Sequence, residues 1–184
     1  MTLGATPSQT VGPFFTIGLT RLCENNLAKP DVAGERITVE GRVLDANGTP
    51  IPDALLEIWQ ADSAGHYCDP ENADALFTGF GRIPTDTLGE FRFQTIKPGT
   101  VVDPAIGKQA PHINVTVLMR GLLRHLVTRI YFAGEAANAS DPILALVPAS
   151  RRETLIAKPT TAGGSTLQWD VIMQGEGETV FFDW

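Results

Sequence analysis

From Arg36 onward, hydrophobic and polar residues alternate along the chain with a period of two. Successive side chains of a strand point to opposite faces, so this period predicts strands with one apolar face. One side of the first strand carries Ile37, Val39, Gly41 and Val43. The strand ends at an Asp-Ala-Asn-Gly turn, residues 45–48, whose Asn-Gly pair tolerates positive φ.

Six further segments show strand patterns. They are Ala54 to Gln60, Glu90 to Gln94, His112 to Met119, Thr128 to Phe132, Gln168 to Met173 and Thr179 to Trp184. In the segment that begins at His112, the apolar row comprises Ile113, Val115, Val117 and Met119. About seven short strands separated by turn residues predict an all-β antiparallel sandwich rather than a parallel α/β sheet.

Helical signals are weak. Ser150 and Glu153 have capping-box spacing ahead of Leu155, which predicts one short helix there, and residues 142–146 could add a turn before it. Residues 1–35 contain Pro and Gly and show little periodicity. We therefore predict an N-terminal arm over 1–35 that packs on a partner chain, and a sandwich domain over 36–184.

Charge and cysteine content narrow the class of protein. A net charge of −7 without any basic cluster argues against nucleic-acid binding, since phosphate contacts need grouped Lys and Arg. Cys23 and Cys68 lie far apart and outside any C-x-x-C pair, which favours reduced cysteines in a reducing compartment. The N-terminus lacks signal-peptide features, and no apolar run is long enough to cross a bilayer. We expect a soluble, cytoplasmic protein.

Common catalytic signatures such as G-x-S-x-G, H-E-x-x-H or a P-loop do not occur, so any chemistry must come from scattered residues. His112 and Asn114 are the first candidates, because they share one strand face. A His-x-His pair would chelate a metal ion, but the neutral amide of asparagine is a weak ligand for a transition metal. The alternative is a partly buried polar row with satisfied hydrogen bonds.

Tyr67 and Arg120 are two further candidates. Tyr67 lies in loop 65–69 and is either the half-buried aromatic of a turn or a tyrosinate ligand, which would need a bound ferric ion to lower its pKa. Arg120 shares a face with His112 and Asn114 if the strand stays regular. Its guanidinium either binds a carboxylate through two parallel hydrogen bonds, or it is solvated or structurally paired at a strand end.

Six stretches closely resemble the intradiol ring-cleavage dioxygenases. They are TPSQTVGPF at 6–14, LEIWQAD at 56–62, TIKPG at 95–99, APHI at 110–113, TRIYF at 128–132 and QGEGETVFFD at 174–183. The resemblance extends from the N-terminal arm to the C-terminus. It implies a β-sandwich fold and a role in opening catechol rings with O2.

The resemblance also implies a particular state of the metal site. Catalytic chains of the family hold a non-haem ferric ion with two tyrosines and two histidines. Tyr67 matches the first tyrosine and His112 the first histidine, whereas Val101 and Asn114 stand where the other two ligands belong. One phenol and one imidazole are too few for tight ferric binding. The resemblance therefore implies that these positions are vestigial and bind no metal.

A partner chain follows from the same resemblance. In this family alpha and beta chains form a unit that assembles into higher hetero-oligomers, with the working pocket between them. This chain resembles the alpha type, which has no catalytic residue of its own, so Fe(III) and its ligands are expected on the beta chain. The implied substrate is 3,4-dihydroxybenzoate, which is cleaved to 3-carboxy-cis,cis-muconate in aromatic catabolism.

The implied contribution of this chain is a set of substrate-binding residues. By motif match, the arm residues Thr10, Gly12, Pro13 and Phe14 lie near the bound catechol, and Arg120 lies near its carboxylate. The family commonly has tyrosine where this chain has Phe14, so the hydroxyl is lost and aromatic packing remains.

Two alternative functions are also compatible with the residues when the family resemblance is set aside. One is a self-sufficient enzyme that binds a metal through Tyr67, His112 and a further donor such as Asp69 or His125. The other is a structural β-sandwich binding module without a catalytic role, since residues 41–45 and 85–93 also suit small surface-binding sandwiches.

Overall fold

A computed structural model describes residues 4, 6–12, 14–68 and 76–183 of the chain. These residues form eleven strands: β1 (Arg36–Leu44), β2 (Leu55–Gln60), β3 (Phe80–Pro84), β4 (Glu90–Ile96), β5 (Val101–Asp103), β6 (Gly107–Gln109), β7 (His112–Leu118), β8 (Leu126–Phe132), β9 (Ile156–Pro159), β10 (Thr166–Gln168) and β11 (Val171–Ile172). Two short α-helices are present, α1 (Phe14–Leu19) and α2 (Pro142–Leu146). Three 3-10 helices span Thr20–Leu22, Ala136–Ser140 and Ala149–Leu155. None of the described helices is long and apolar enough to span a membrane.

Nine of the eleven described strands build two layers that share one strand, and β5 and β6 pair only with each other. One layer has the order β3-β2-β7-β8, and the other has the order β4-β1-β10, with β11 beside the end of β1. Strand β9 pairs with β8 on one side and with β10 on the other, so it joins the two layers along one edge. The predicted all-β sandwich is confirmed.

Side chains from both layers meet in one apolar core. Val39 and Phe93 come from one layer and Ile58 and Val115 from the other, and all four are at most 1% exposed. Full burial of a side chain of this size stabilises the fold by roughly 1.5–3 kcal/mol. The alternation predicted for β1 and β7 is confirmed, because their odd-numbered positions face this core.

Several predicted elements differ in the structure. The segment around Ser150 is a 3-10 helix whose N-cap is Pro148, without a side-chain cap. Arg151 donates to the distant carbonyl of Glu178, and Arg152 donates to the nearby carbonyl of Val147. Residues 142–146, which were expected to add a turn, form α2, and α1 lies in the predicted arm.

The C-terminal strands are also shorter than predicted. Gln168 to Met173 divides into β10 and β11, and both pair with β1 in parallel. Strands β8 and β9 are parallel as well, so the sandwich is mixed rather than purely antiparallel. Thr179 to Trp184 is not a strand over its described part: Phe182 forms one isolated bridge with Val127, and Trp184 lies outside the described residues.

The second half of the predicted arm packs on the chain's own sandwich. Glu24 and Asn26 form isolated bridges with β3 and β4. Leu27 is 4% exposed and belongs to the main core, and Val32 is buried against Ile96. The division of the chain at residue 35 stays a prediction.

Candidate functional site

A cleft lies over the part of the β2-β7-β8 layer where the candidate ligands meet. Strand pairing sets Trp59 opposite Asn114 and Asn114 opposite Arg129, so three strands present polar or aromatic side chains side by side. The cleft has a volume of about 490 Å³. Its lining includes Trp59, Tyr67, Val101, Gln109, His112, Asn114 and Arg129. We call it the Tyr67 cleft.

Tyr67 is held on three sides. Its hydroxyl lies 3.3 Å from Nε2 of His112, and Nδ2 of Asn114 donates to it at 2.9 Å. The Tyr67 ring stacks on Trp59 with a centroid separation of 5.7 Å and an interplanar angle of 11°. The structure therefore brings Tyr67, His112 and Asn114 together in one hydrogen-bonded group, beside Val101.

His112 is 1% exposed, and both of its ring nitrogens face partners. Nδ1 lies 2.7 Å from the carbonyl oxygen of Ala110, which can only accept, so Nδ1 carries the proton. Nε2 of the neutral ring is then an acceptor, and the Tyr67 hydroxyl donates to it. Burial, helped by the charge of Arg129, lowers the pKa of His112 to about 4, which keeps the imidazole neutral at physiological pH.

Tyr67 is a neutral phenol in this setting. Burial raises its pKa, although the Asn114 hydrogen bond and the Arg129 charge both act in the opposite direction. A phenol that donates to His112 and accepts from Asn114 is a satisfied structural group.

A second network extends below the cleft from β8. Nη1 of Arg129, a residue 6% exposed, donates to Oε1 of Gln109 at 2.8 Å and lies 3.5 Å from the Tyr131 hydroxyl. Tyr131 donates to Oδ1 of Asp141 at 3.1 Å. Burial raises the pKa of Tyr131, which keeps this phenol neutral too.

Asp141 fixes the far end of this network. Its Oδ1 accepts from the amides of Ile143 and Leu144 at 2.9 and 2.7 Å, which caps helix α2, and Pro142 occupies the first turn. Its Oδ2 accepts from the amide of Ala110 at 2.7 Å. The carboxylate thereby ties α2 to the segment that leads into His112.

The sequence reasoning did not single out Arg129, Gln109, Tyr131 or Asp141. The sequence did contain a pattern that could have identified two of these residues. Because side chains alternate along a strand, Arg129 and Tyr131 lie on the same face of β8, opposite Ile130. An arginine in the middle of an apolar strand indicates a buried partner network. Asp141 followed by Pro142 is also a helix N-cap signal.

The Tyr67 cleft does not fit a ferric ion. Val101 offers an aliphatic side chain, and Asn114 turns its amide NH2 toward the Tyr67 hydroxyl. The two remaining potential metal ligands, Tyr67 and His112, are hydrogen-bonded to each other, and both interact electrostatically with the Arg129 cation. A trivalent cation would meet this positive charge with one phenol and one imidazole as ligands, which is an unfavourable donor set.

The donors considered for a self-sufficient metal site do not complete it among the described residues. His125 is exposed and lies just before β8, at the opposite end of the β7–β8 hairpin from His112. Asp69 lies outside the described residues. No group of three or more His, Cys, Asp or Glu side chains in the described part of the chain is arranged to hold a metal ion.

Arg120 lies away from the Tyr67 cleft. Strand β7 ends at Leu118, so Arg120 occupies the following turn and the face shared with His112 and Asn114 does not extend to it. The strand from His112 to Leu118 alone spans roughly 20 Å. Nε of Arg120 donates to Oδ2 of Asp53 in an ion pair.

The described arm residues lie at the same end of the sandwich. The amide of Gly121 donates to Oγ1 of Thr10 at 2.8 Å, which ties the arm to the turn that carries Arg120. The carbonyl of Gly12 accepts from the amide of Phe15 at 3.0 Å, at the start of α1. Pro13 lies outside the described residues. We call the group of Thr10, Asp53, Arg120 and Gly121 the Arg120 corner.

Comparisons with known proteins all match this chain to the same family. A family model described as Dioxygenase matches residues 12–175. The protocatechuate 3,4-dioxygenase alpha chain of Pseudomonas putida is 48% identical over 195 residues, which cover 98% of this chain and 97% of that one. The beta chain of the same enzyme from Burkholderia cepacia is 36% identical over 170 residues, which cover 86% of this chain and 72% of that one.

Solved structures agree with these sequence matches. The dioxygenase domain of a dioxygenase–carbohydrate-binding fusion protein from Streptomyces sp. SirexAA-E superposes with a TM-score of 0.66 at 28% identity, covering 83% of this chain and 88% of that one. The sandwich, the ligand-matching positions and the sequence matches thus lead to one conclusion. This chain belongs to the intradiol dioxygenase family.

Proposed function

We propose that this chain is the alpha subunit of a protocatechuate 3,4-dioxygenase and contributes to an active site whose Fe(III) is bound by a beta chain. The enzyme would cleave 3,4-dihydroxybenzoate with O2 to 3-carboxy-cis,cis-muconate, a step of the β-ketoadipate pathway. Near-full-length identity of 46–48% to two alpha chains of that name supports this assignment. The existence of a related beta chain supports a hetero-oligomer of alpha and beta subunits.

The observation that carries the proposal is the state of the Tyr67 cleft. Two of the four ligand-matching positions, Val101 and Asn114, offer no suitable donor, and the other two satisfy each other. Such a site offers a ferric ion only one phenol and one imidazole, which is too few for tight binding, so we place the metal on the partner chain. When bound there, the ferric ion would supply the activation of the catechol towards O2.

The second part of the proposal is that the Arg120 corner binds the substrate. The side chain of Arg120 is 63% exposed, so its guanidinium is available to a carboxylate brought by a ligand in a pocket shared with the partner. A carboxylate buried in such a pocket without a cation would be costly. The arm residues Thr10, Gly12, Pro13 and Phe14 would line the same pocket.

The cellular setting belongs to the proposal as well. Cys23 and Cys68 do not form a disulfide with each other. This suits a reducing compartment, and we propose that the assembly is cytoplasmic.

Expression of this chain with and without a beta chain that carries intact tyrosine and histidine ligands tests the proposal. Ring cleavage of 3,4-dihydroxybenzoate, followed by O2 uptake, is expected for the co-purified pair and not for this chain alone. A pair that fails to form, or that forms without ring cleavage, would leave a structural sandwich module as the better description. Cleavage by this chain alone would overturn the assignment of the metal to the partner.

A further inference from the structure

An acidic residue lies beside Arg120, just beyond the paired ends of two strands. Strands β2 and β7 pair antiparallel, with Leu55 opposite Leu118. Asp53 precedes Leu55 by two residues and Arg120 follows Leu118 by two residues, so the pairing of β2 with β7 brings the turns that carry them to the same end of the sheet. The ion pair between them therefore joins two turns that the pairing of β2 with β7 places side by side.

The contact uses only one edge of the guanidinium. Nε of Arg120 donates to Oδ2 of Asp53, and among the described residues this is the hydrogen bond that the arginine makes. The hydrogen bond uses Nε, so the Nη1 and Nη2 end of the planar fork can still make a two-point bond with a carboxylate. One acidic partner can thus fix the plane of the group without occupying the end that binds a ligand.

Exposure supports the same division of roles. The side chain of Asp53 is 24% exposed, whereas that of Arg120 is 63% exposed. The carboxylate is the more fixed partner because it sits in the short turn before β2. Arginine has many rotamers, and holding its head in one orientation before a ligand arrives reduces the ordering cost of binding.

The backbone next to Arg120 is also fixed. Gly121 has φ of +92°, a region that favours glycine, and its amide donates to Thr10 at 2.8 Å. The arm, the turn and Asp53 therefore define the position of Arg120 from both sides.

We infer that Asp53 is a positioning residue that orients the Arg120 guanidinium for the carboxylate of the substrate. The inference rests on the proposed function, since it assigns a partner to the residue proposed to select that carboxylate. Asp53 acts through Arg120 and does not itself touch the substrate. Its loss should therefore weaken binding of a carboxylated catechol and leave the chemical step unchanged.

The test uses the iron-loaded complex with the beta chain. Asp53→Ala, Arg120→Ala and the double variant are compared for 3,4-dihydroxybenzoate and for catechol, which lacks the carboxylate. Asp53→Ala should raise KM for 3,4-dihydroxybenzoate about two- to five-fold, the range for one exposed ion pair, with kcat unchanged. KM for catechol should not change, and the double variant should match Arg120→Ala alone. Asp53→Glu should recover part of the lost affinity.

A matched control comes from another exposed ion pair. Arg42 and Glu90 pair at 2.5 Å on the outer face of the other layer, so Glu90→Gln should leave both KM values unchanged. If Asp53→Ala lowers KM, leaves it unchanged, or affects catechol equally, the positioning role is wrong. If Arg120→Ala itself leaves KM for 3,4-dihydroxybenzoate unchanged, the proposed substrate role of Arg120 fails first, which separates the two ideas.

Discussion

The Tyr67 cleft and the Arg120 corner lie at opposite ends of strand β7, and they treat their polar groups in opposite ways. In the cleft, Tyr67, His112 and Asn114 satisfy one another, and burial keeps the first two neutral. In the corner, Arg120 is largely exposed and has one anchored edge.

The polar groups of the Tyr67 cleft are therefore part of the folded interior, whereas those of the Arg120 corner face outward. Groups that satisfy each other contribute to stability and offer little to a ligand. A cation that is oriented but exposed contributes little to stability and is available to a partner or substrate. Substitutions in the cleft should therefore change the free energy of unfolding, and substitutions in the corner should change affinity.

The largest stability effect is expected at Asp141, which anchors the network below the cleft. Asp141→Ala removes the acceptor of three backbone amides and of the Tyr131 hydroxyl. We expect the free energy of unfolding to fall by about 3–4 kcal/mol, because several hydrogen bonds to one buried carboxylate are lost together. Urea unfolding followed by tryptophan fluorescence measures this. The exposed Asp31→Ala serves as the control, and equal small effects of the two would contradict a structural role for the network.

His112 makes the stability of the cleft dependent on pH. Its pKa is about 4 in the folded chain against the ordinary 6.5, so between these values the unfolded chain binds a proton that the folded chain does not. The contribution is complete above pH 6.5 and is lost as the pH falls towards 4, with a maximum of about 3 kcal/mol. Unfolding measured from pH 7.5 to 4.5 should show this loss, and His112→Gln should lack it. An imidazole NMR signal of His112 that titrates near 6.5 would contradict the neutral buried ring.

Arg120→Ala is the main test of the outward-facing site. In the complex with the beta chain, KM for 3,4-dihydroxybenzoate should rise roughly ten- to a hundred-fold, since one charged contact is worth about 1.5–3 kcal/mol. The melting temperature should hardly change, because the side chain is exposed. Steady-state kinetics and thermal unfolding of the same preparation check both statements. An unchanged kcat/KM would remove Arg120 from the substrate site.

The smallest effect is expected for the link between the arm and the turn. Thr10→Val keeps the shape of the side chain but removes the acceptor of the Gly121 amide. The loss of one hydrogen bond, about 1 kcal/mol, should speed hydrogen exchange of that amide by roughly five-fold. Thr10→Ser keeps the acceptor and should exchange like the parent chain. If the two variants exchange alike, the hydroxyl does not hold the arm.

Strands with clear alternation could be predicted from the sequence, and strands defined by their neighbours could not. Ile113, Val115 and Val117 mark β7 because every second residue is apolar and buried. Strand β3 contains Gly81 and Pro84, which indicate a turn, and it becomes a strand because β2 supplies its pairing. The short helix predicted at Ser150 forms as a 3-10 helix, and its capping box does not form, because Arg151 and Arg152 bond backbone carbonyls and no side chain caps the N-terminus.

Some residues of the candidate site could likewise be predicted from the sequence, and others could not. The grouping of Tyr67, Val101, His112 and Asn114 was predicted through family resemblance, and in the structure these four residues line one cleft. The network from Arg129 to Asp141 was missed, because its members come from segments that only strand pairing and a helix cap bring into contact. The pair of Asp53 and Arg120 likewise depends on a register that cannot be read without knowing that β2 pairs with β7.

The central claim, that the metal belongs to the partner, is tested most directly by the iron content of this chain purified without a beta chain. Metal analysis after expression in iron-supplemented medium should give far less than one iron per chain, and the solution should show no visible tyrosinate absorption. The reason is that the Tyr67 phenol and His112 are engaged with each other beside Arg129. One tightly bound iron per chain, with tyrosinate colour and ring cleavage, would contradict the account.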